Sequence, residues 1–236
     1  PSVIDVLLLA LLPAAGNITG GLVAEVTPPS DRWRNRALHA AAGVVFAVVA
    51  VEIMPRAVDV VAGWLLALAF LGGGGLYLLA QRLIQARAKG SGRMWMIYLA
   101  IASDLFSDGL LIGAGASLGG GLGLVLAVGQ VLADVPEGAA STMTFRGNDV
   151  PRSRRLLLSV ATVVPVLVGA ALSFLLLRGR PERWQLTALV GTAGIFAVAA
   201  FEDMIAEAHE TEDTDASTAA LLIGFALFTF VSTTLG

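Results

Sequence analysis

The sequence Asp134-Val135-Pro136-Glu137-Gly138 places two carboxylates and a helix-breaking pair inside an apolar run that extends from about residue 121 to residue 145. A charged side chain at the centre of a membrane helix costs about 2.5–3.5 kcal/mol on insertion scales. Two carboxylates three residues apart therefore need a partner within the membrane. A cation is the natural partner for them.

The composition of the chain indicates that its surroundings are a lipid bilayer. Of its 236 residues, 56% are hydrophobic and only 14% are charged, with a mean hydropathy of +0.81. Ordinary soluble domains carry about 25% charged residues. The chain has no cysteine, which excludes disulfides and thiolate metal ligands. The net charge of −3 is spread over the loops and gives no reason to expect a nucleic-acid partner.

Apolar runs of about 20 residues predict eight transmembrane helices. The predicted spans cover residues 3–26, 37–54, 60–85, 94–117, 121–145, 155–177, 184–208 and 216–235. The first run lacks a preceding basic region and a cleavage pattern, so we interpret it as a span and not as a removable signal. The long apolar runs lack the alternation of a β-barrel strand. The sequence therefore predicts an all-α integral membrane protein with one membrane domain over residues 1–236.

The basic residues predict how the chain is oriented. The loops after spans one, three and five hold eleven of the fifteen lysines and arginines. We call the side of these loops the arginine-rich side. The positive-inside rule places it in the cytoplasm and both termini outside, in a multi-pass protein of the plasma or inner membrane.

Spans two and seven carry an internal repeat. Residues 46–54 align with residues 196–204 at a constant offset of 150, which pairs Glu52 with Glu202 and Met54 with Met204. Similar Ala/Val/Phe-rich helices can match by chance. A genuine repeat would be inverted, because spans two and seven cross in opposite directions. It would relate spans one to three to spans six to eight around spans four and five, an architecture typical of transporters.

The two central spans carry the chemistry. Asp104 and Asp108 lie one helical turn apart in span four, and Asp134 and Glu137 lie three residues apart in span five, so each pair shares a helix face. Pro136 removes one backbone hydrogen bond and frees carbonyls near residues 132 and 133. Four carboxylates on facing helices predict an oxygen-rich cation site.

Two other interpretations of these acids remain open. Each acid could be a neutral group hydrogen-bonded to a neighbouring helix, although the central spans contain no lysine or arginine to compensate them. Clustered carboxylates could also relay protons. Other polar residues in or near the spans are candidate pathway or gate residues: Glu52, Gln130, Ser107, Glu202, Asp203, Glu207 and His209.

The eight-span layout and the span-five motif resemble the ZIP (Zrt/Irt-like) family of divalent-metal transporters. The sequence Asp104-Leu105-Phe106-Ser107-Asp108-Gly109 stands where that family typically has His-Asn-x-Pro-Glu-Gly. Residues 202–209 stand where it often has His-Glu-x-x-Pro-Glu. The resemblance covers nearly the whole chain, and the span-five motif is its closest match.

The resemblance implies which residues bind metal. Asp104, Asp108 and Glu137 take the positions of the family's first site, and Asp134 joins Asp108 and Glu137 in the adjacent second site.

Three positions depart from the family pattern. The span-four asparagine is Leu105, the span-six glutamate is Val164, and a position that is often glutamine is Ala133. The resemblance therefore implies at most one well-formed site. Its carboxylates favour harder ions, such as manganese or magnesium, over zinc, with iron(II) between them.

The resemblance also implies a function. It predicts a secondary transporter that imports a divalent cation as a homodimer in the lipid bilayer, without a resident cofactor. Spans at 3–26, 94–117, 121–145 and 155–177 would move as a transport unit against a scaffold of spans at 37–54, 60–85, 184–208 and 216–235. The alternatives are a related protein that senses metal or protons without transport, and a proton-linked carrier of another solute. The sequence gives no sign of enzyme chemistry, since no nucleophile and base pair or phosphate-binding loop is evident.

Overall fold

A computed structural model describes residues 1–28, 30–87, 92–119, 121–205 and 214–235, with the side chains of Arg93 and Asp203 excepted. Within these ranges the chain is almost entirely helical and contains no strand. Eight of the described helices are long and apolar enough to cross a membrane. The predicted all-α membrane fold with eight spans is therefore confirmed.

The eight spans are numbered α1 to α8 in chain order. They are α1 (Val3–Val26), α2 (Asp31–Val58), α3 (Gly63–Arg87), α4 (Arg93–Leu118), α5 (Leu122–Gly147), α6 (Arg152–Leu177), α7 (Glu182–Ala199, continued by a π-helical turn at Ala200–Ile205) and α8 (Asp215–Leu235).

Most bounds agree with the predicted spans to within three residues, but α2 begins six residues earlier than the prediction of 37. The charged sequence after Ser30 was predicted to lie between spans, and it forms the first turns of this helix instead. The Ser30 hydroxyl accepts a hydrogen bond from the Trp33 amide at 3.4 Å, and Asp31 lies in the first turn. A polar cap and an acidic first turn both favour helix initiation, and hydropathy does not register either of them.

The helices of the two halves of the chain pack in equivalent ways. Helix α1 packs most extensively on α5 and α4 on α6, while α2 packs on α8 and α3 on α7. Helix α2 also contacts α5, and α7 contacts α4. Exchanging α1 with α6, α2 with α7, α3 with α8 and α4 with α5 leaves this set of pairs unchanged. Because successive spans alternate in direction, the exchange relates inverted halves, as the repeat in α2 and α7 predicts.

The repeat also appears as a shared interruption of the helix. Helix α2 contains a π-helical turn at Val48–Ile53, and α7 contains one at Ala200–Ile205. Each turn includes a glutamate of the aligned pair, Glu52 or Glu202. π-Turns inside α-helices are rare and often mark functional positions. The sequence alignment found the two glutamates but gave no signal of the altered helix geometry.

Glycines allow α1 and α5 to approach each other closely. A Cβ atom added to Gly20 would overlap the carbonyl of Val135, and one added to Gly138 would overlap the backbone of Asn17. Close approach at small residues is typical of helix pairs in membranes. This contact holds α1 against the face of α5 that contains Asp134, whose Cβ lies 3.4 Å from the position of a Cβ on Gly16.

Ionic contacts join α1, α5 and α6 at the arginine-rich side. Arg155 donates through two nitrogens to the two carboxylate oxygens of Glu25, at 2.6 and 2.7 Å. Arg146 donates to the carbonyl oxygens of Ala24 and Thr27, at 2.5 and 2.9 Å, near the end of α1. The Glu25 side chain is only 4% exposed. A bidentate pair between an arginine and a carboxylate is a strong, directional contact.

Candidate metal site

Helices α4 and α5 pack against each other and bring their acidic residues together near the middle of both spans. Asp104, Asp108 and Asp134 each offer one carboxylate oxygen, and these three oxygens lie within 4.8 Å of one another. All three side chains are buried, and Asp108 and Asp134 are each only 1% exposed. The two predicted acidic faces therefore form one three-carboxylate cluster, which we call the aspartate cluster.

The charge on the aspartate cluster requires compensation. Two unit charges at this separation repel each other by about 3–4 kcal/mol at an effective dielectric constant of 20. Three ionised aspartates contain three such pairs, in addition to the cost of burying each charge. Neither α4 nor α5 places a described lysine or arginine side chain beside the cluster. Bound protons or a cation would supply this compensation.

Gln130 links the two helices within the cluster. It precedes Asp134 by one helical turn on α5, and its Nε2 donates a hydrogen bond to Oδ1 of Asp108 on α4. Gln130 is 1% exposed. Its Oε1, the Oδ2 of Asp108 and the Oδ2 of Asp134 are all buried without a hydrogen-bond partner. Buried acceptor atoms without donors are uncommon in proteins, and these three oxygens are available to accept hydrogen bonds or to coordinate a cation.

Glu137 and Ser107 occupy different positions relative to the cluster. Glu137 is 8% exposed and lies close enough to Asp134 to interact with it electrostatically, but it is not one of the three clustered carboxylates. The hydroxyl of Ser107 donates to the carbonyl of Ser103 at 2.9 Å, within its own helix. Such back-bonding satisfies a buried hydroxyl locally.

The three positions that depart from the ZIP pattern contain no side-chain oxygen in the structure. Leu105 is fully buried in an apolar cluster with Val6 and Ala10 of α1. Ala133 is buried among other apolar side chains. Val164 is 63% exposed on the surface of α6. These three positions therefore offer no side-chain oxygen to the sites that the ZIP resemblance implies.

The other predicted pathway residues are distributed over several places. Glu52 is buried and bonded through both oxygens, with Arg56 donating to Oε1 at 2.5 and 3.0 Å and Ser232 donating to Oε2 at 2.5 Å. It thus joins α2 to α8. Glu202, its counterpart in the repeat, is exposed. The side chain of Asp203 and residues Glu207 and His209 lie outside the described residues, and their predicted role stays a prediction.

A narrow crevice with polar and apolar side chains lies near the cluster and was not predicted from the sequence. It lies between α1, α4, α5 and α6, on the arginine-rich side of the aspartates, and its lining includes Asn17, Ser141, Thr142 and Ser159. Asn17 is buried, and its Nδ2 has no hydrogen-bond partner. The signal in the sequence that could have pointed to this crevice was Asn17, a polar residue within an apolar span. The crevice separates the cluster from the ionic contacts at the helix ends.

The comparisons with known proteins give no relative, since no protein-family model and no curated protein sequence matches the chain.

Proposed function

We propose that this protein is a secondary transporter that moves a divalent metal cation across the membrane, into the cytoplasm, by alternating access to the aspartate cluster. The observation that carries the proposal is the convergence of three buried carboxylates within 4.8 Å, half-way along two membrane spans. A divalent cation would neutralise most of their charge and would occupy acceptor atoms that have no donor.

The packing supports a division into two moving parts. Helices α1, α4, α5 and α6 contact one another around the cluster, and Glu25, Arg146 and Arg155 tie the ends of α1, α5 and α6. Helices α2, α3, α7 and α8 pack as the pairs α2–α8 and α3–α7. We propose that the first set carries the ion and that the second set is the scaffold and the homodimer contact. The inverted arrangement of the two halves supplies two related conformations, open to opposite sides.

We propose that transport runs into the cytoplasm and that the ion is a hard divalent cation. The similarity to the ZIP family favours import, and a site of carboxylate oxygens favours manganese, magnesium or iron(II) over zinc. Because the ligands must lose their protons to bind metal, we expect uptake to fall as the pH falls.

A metal uptake assay tests the proposal. The purified chain is reconstituted in liposomes, and uptake of Mn²⁺, Zn²⁺, Fe²⁺ and Mg²⁺ is measured at two pH values. We expect Asp108→Asn to lower uptake by about 100-fold or more and Glu137→Gln to lower it by about 10–100-fold, since even residues outside the metal shell can contribute 10–100-fold. Asp59→Asn, which changes an exposed acid outside the cluster, is the matched control and should transport normally.

Three outcomes would contradict the proposal. Wild-type rates of uptake by Asp108→Asn, with equal amounts of protein in the liposomes, would remove the aspartate cluster from the mechanism. Calorimetric metal binding without uptake by the wild type would favour a sensor that does not transport. Solute flux that responds to pH but not to metal would favour a proton-linked carrier.

A further inference from the structure

Gln130 is held in a position that the carboxylates alone do not explain. Its amide lies in the middle of α5, is almost completely buried, and reaches across to Asp108 on α4. The resemblance to the ZIP family assigns it no ligand role, and the sequence suggested only a place on the pathway. Beside the cluster, both the Nε2 donor and the Oε1 acceptor of this amide need a partner.

The hydrogen bond fixes which way the amide points. An ionised carboxylate can only accept hydrogen bonds, so the group that faces Oδ1 of Asp108 must be the Nε2 donor. The amide is planar, and its oxygen is therefore fixed beside the same carboxylate. This Oε1 has no donor. An amide oxygen buried without a partner costs about 1–3 kcal/mol, and ionised carboxylates beside it cannot donate to it.

A cation at the aspartate cluster would remove this cost. The three aspartates supply three charged oxygens, and the amide supplies a fourth oxygen without adding negative charge. Magnesium and manganese prefer six oxygen ligands, with water completing the shell, whereas zinc in proteins prefers four ligands that include nitrogen or sulfur. A neutral oxygen ligand at this position thus favours the harder ions.

We propose that Gln130 binds the transported cation through Oε1 and makes the site selective for hard, oxygen-preferring divalent cations over zinc. This inference rests on the proposed function, because it requires a divalent cation at the aspartate cluster. The hydrogen bond from Nε2 to Asp108 orients the amide, so one side chain both positions a carboxylate and completes the coordination.

Calorimetric titration of the full-length protein in detergent with Mn²⁺ and with Zn²⁺ tests the inference. We expect Gln130→Leu to weaken Mn²⁺ binding by about tenfold or more and to weaken Zn²⁺ binding less. Gln130→His, which introduces an imidazole, should raise the Zn²⁺-to-Mn²⁺ affinity ratio by about tenfold or more over the wild type. Gln185→Leu is the matched control, since Gln185 is also buried but donates to the carbonyls of Ser117 and Leu177.

The outcomes separate this inference from the proposed function. If Gln130→Leu binds Mn²⁺ like the wild type while Asp108→Asn does not, the glutamine is not a ligand and the metal site stands. If Gln130→Leu and Gln130→His weaken both metals by the same factor, the glutamine only positions Asp108, and selectivity lies elsewhere. If the wild type binds neither metal, the inference and the proposed function both fail. Melting temperatures of all variants identify any loss of folding.

Discussion

At the scale of single residues, the aspartate cluster brings three carboxylates together in a buried place, where their negative charges repel one another. Three buried carboxylates within 4.8 Å are stable only with protons or a cation among them. The oxygens of Asp108, Asp134 and Gln130 that lack a hydrogen-bond partner are the acceptors that bound protons or a cation would occupy.

The side chains around the aspartate cluster also bear on how many cations bind there. The second site implied by the ZIP pattern would need oxygens at residues 105 and 164, where the side chains are a buried leucine and an exposed valine. A further position that is often glutamine in that pattern is Ala133. Apolar side chains cannot coordinate a cation. We therefore expect the aspartate cluster to bind one ion.

At the scale of the helices, the contact between α1 and α5 positions Asp134, and it depends on small residues. We expect Gly20→Ala to destabilise the protein by about 1–3 kcal/mol, because the new methyl group would overlap the carbonyl of Val135. Thermal unfolding in detergent measures the effect. Gly75→Ala is the control, since a Cβ there meets no atom within 4 Å, and it should leave the melting temperature unchanged or slightly higher.

An equal, small effect of the two glycine substitutions would contradict the close packing of α1 on α5. A loss of thermal stability in Gly20→Ala but not in Gly75→Ala would instead show that the contact between α1 and α5 supports the aspartate cluster, because Val135 directly follows Asp134. Metal uptake by the surviving Gly20→Ala protein should then fall more than uptake by Gly75→Ala.

At the scale of the whole molecule, the chain is a multi-pass membrane protein, and its orientation is a prediction that cysteine labelling can test. The chain has no native cysteine, so one introduced residue reports one site. Ser153 and Arg180 are exposed at opposite ends of α6. We expect an impermeant maleimide to label Arg180→Cys on intact cells and Ser153→Cys only after permeabilisation, because the arginine-rich side should face the cytoplasm. The reverse pattern would contradict the positive-inside assignment.

The sequence predicted the spans and the acidic faces because both depend on local patterns. Hydropathy reports burial in lipid, and the spacing of Asp104, Asp108 and Asp134 places each on a known helix face. The exchange symmetry of the packing was predicted from the repeated segments in α2 and α7.

The contacts between distant residues could not be predicted in the same way. Nothing in the local sequence pairs Glu25 with Arg155, 130 residues later, or turns the amide of Gln130 toward Asp108. The π-turns in α2 and α7 depend on packing as well as on composition. Glu52 was predicted as a candidate pathway or gate residue near the end of a span, whereas its bonds to Arg56 and Ser232 could be found only in three dimensions.

The central claim, that a divalent cation binds among Asp104, Asp108 and Asp134, is tested most directly by locating the ion. Crystals of the full-length protein grown with Mn²⁺ would be measured by anomalous X-ray scattering at the manganese edge. We predict one strong peak per chain, within about 2.5 Å of carboxylate oxygens from all three aspartates. A map with no peak between α4 and α5, or with its manganese bound elsewhere in the chain, would contradict the claim.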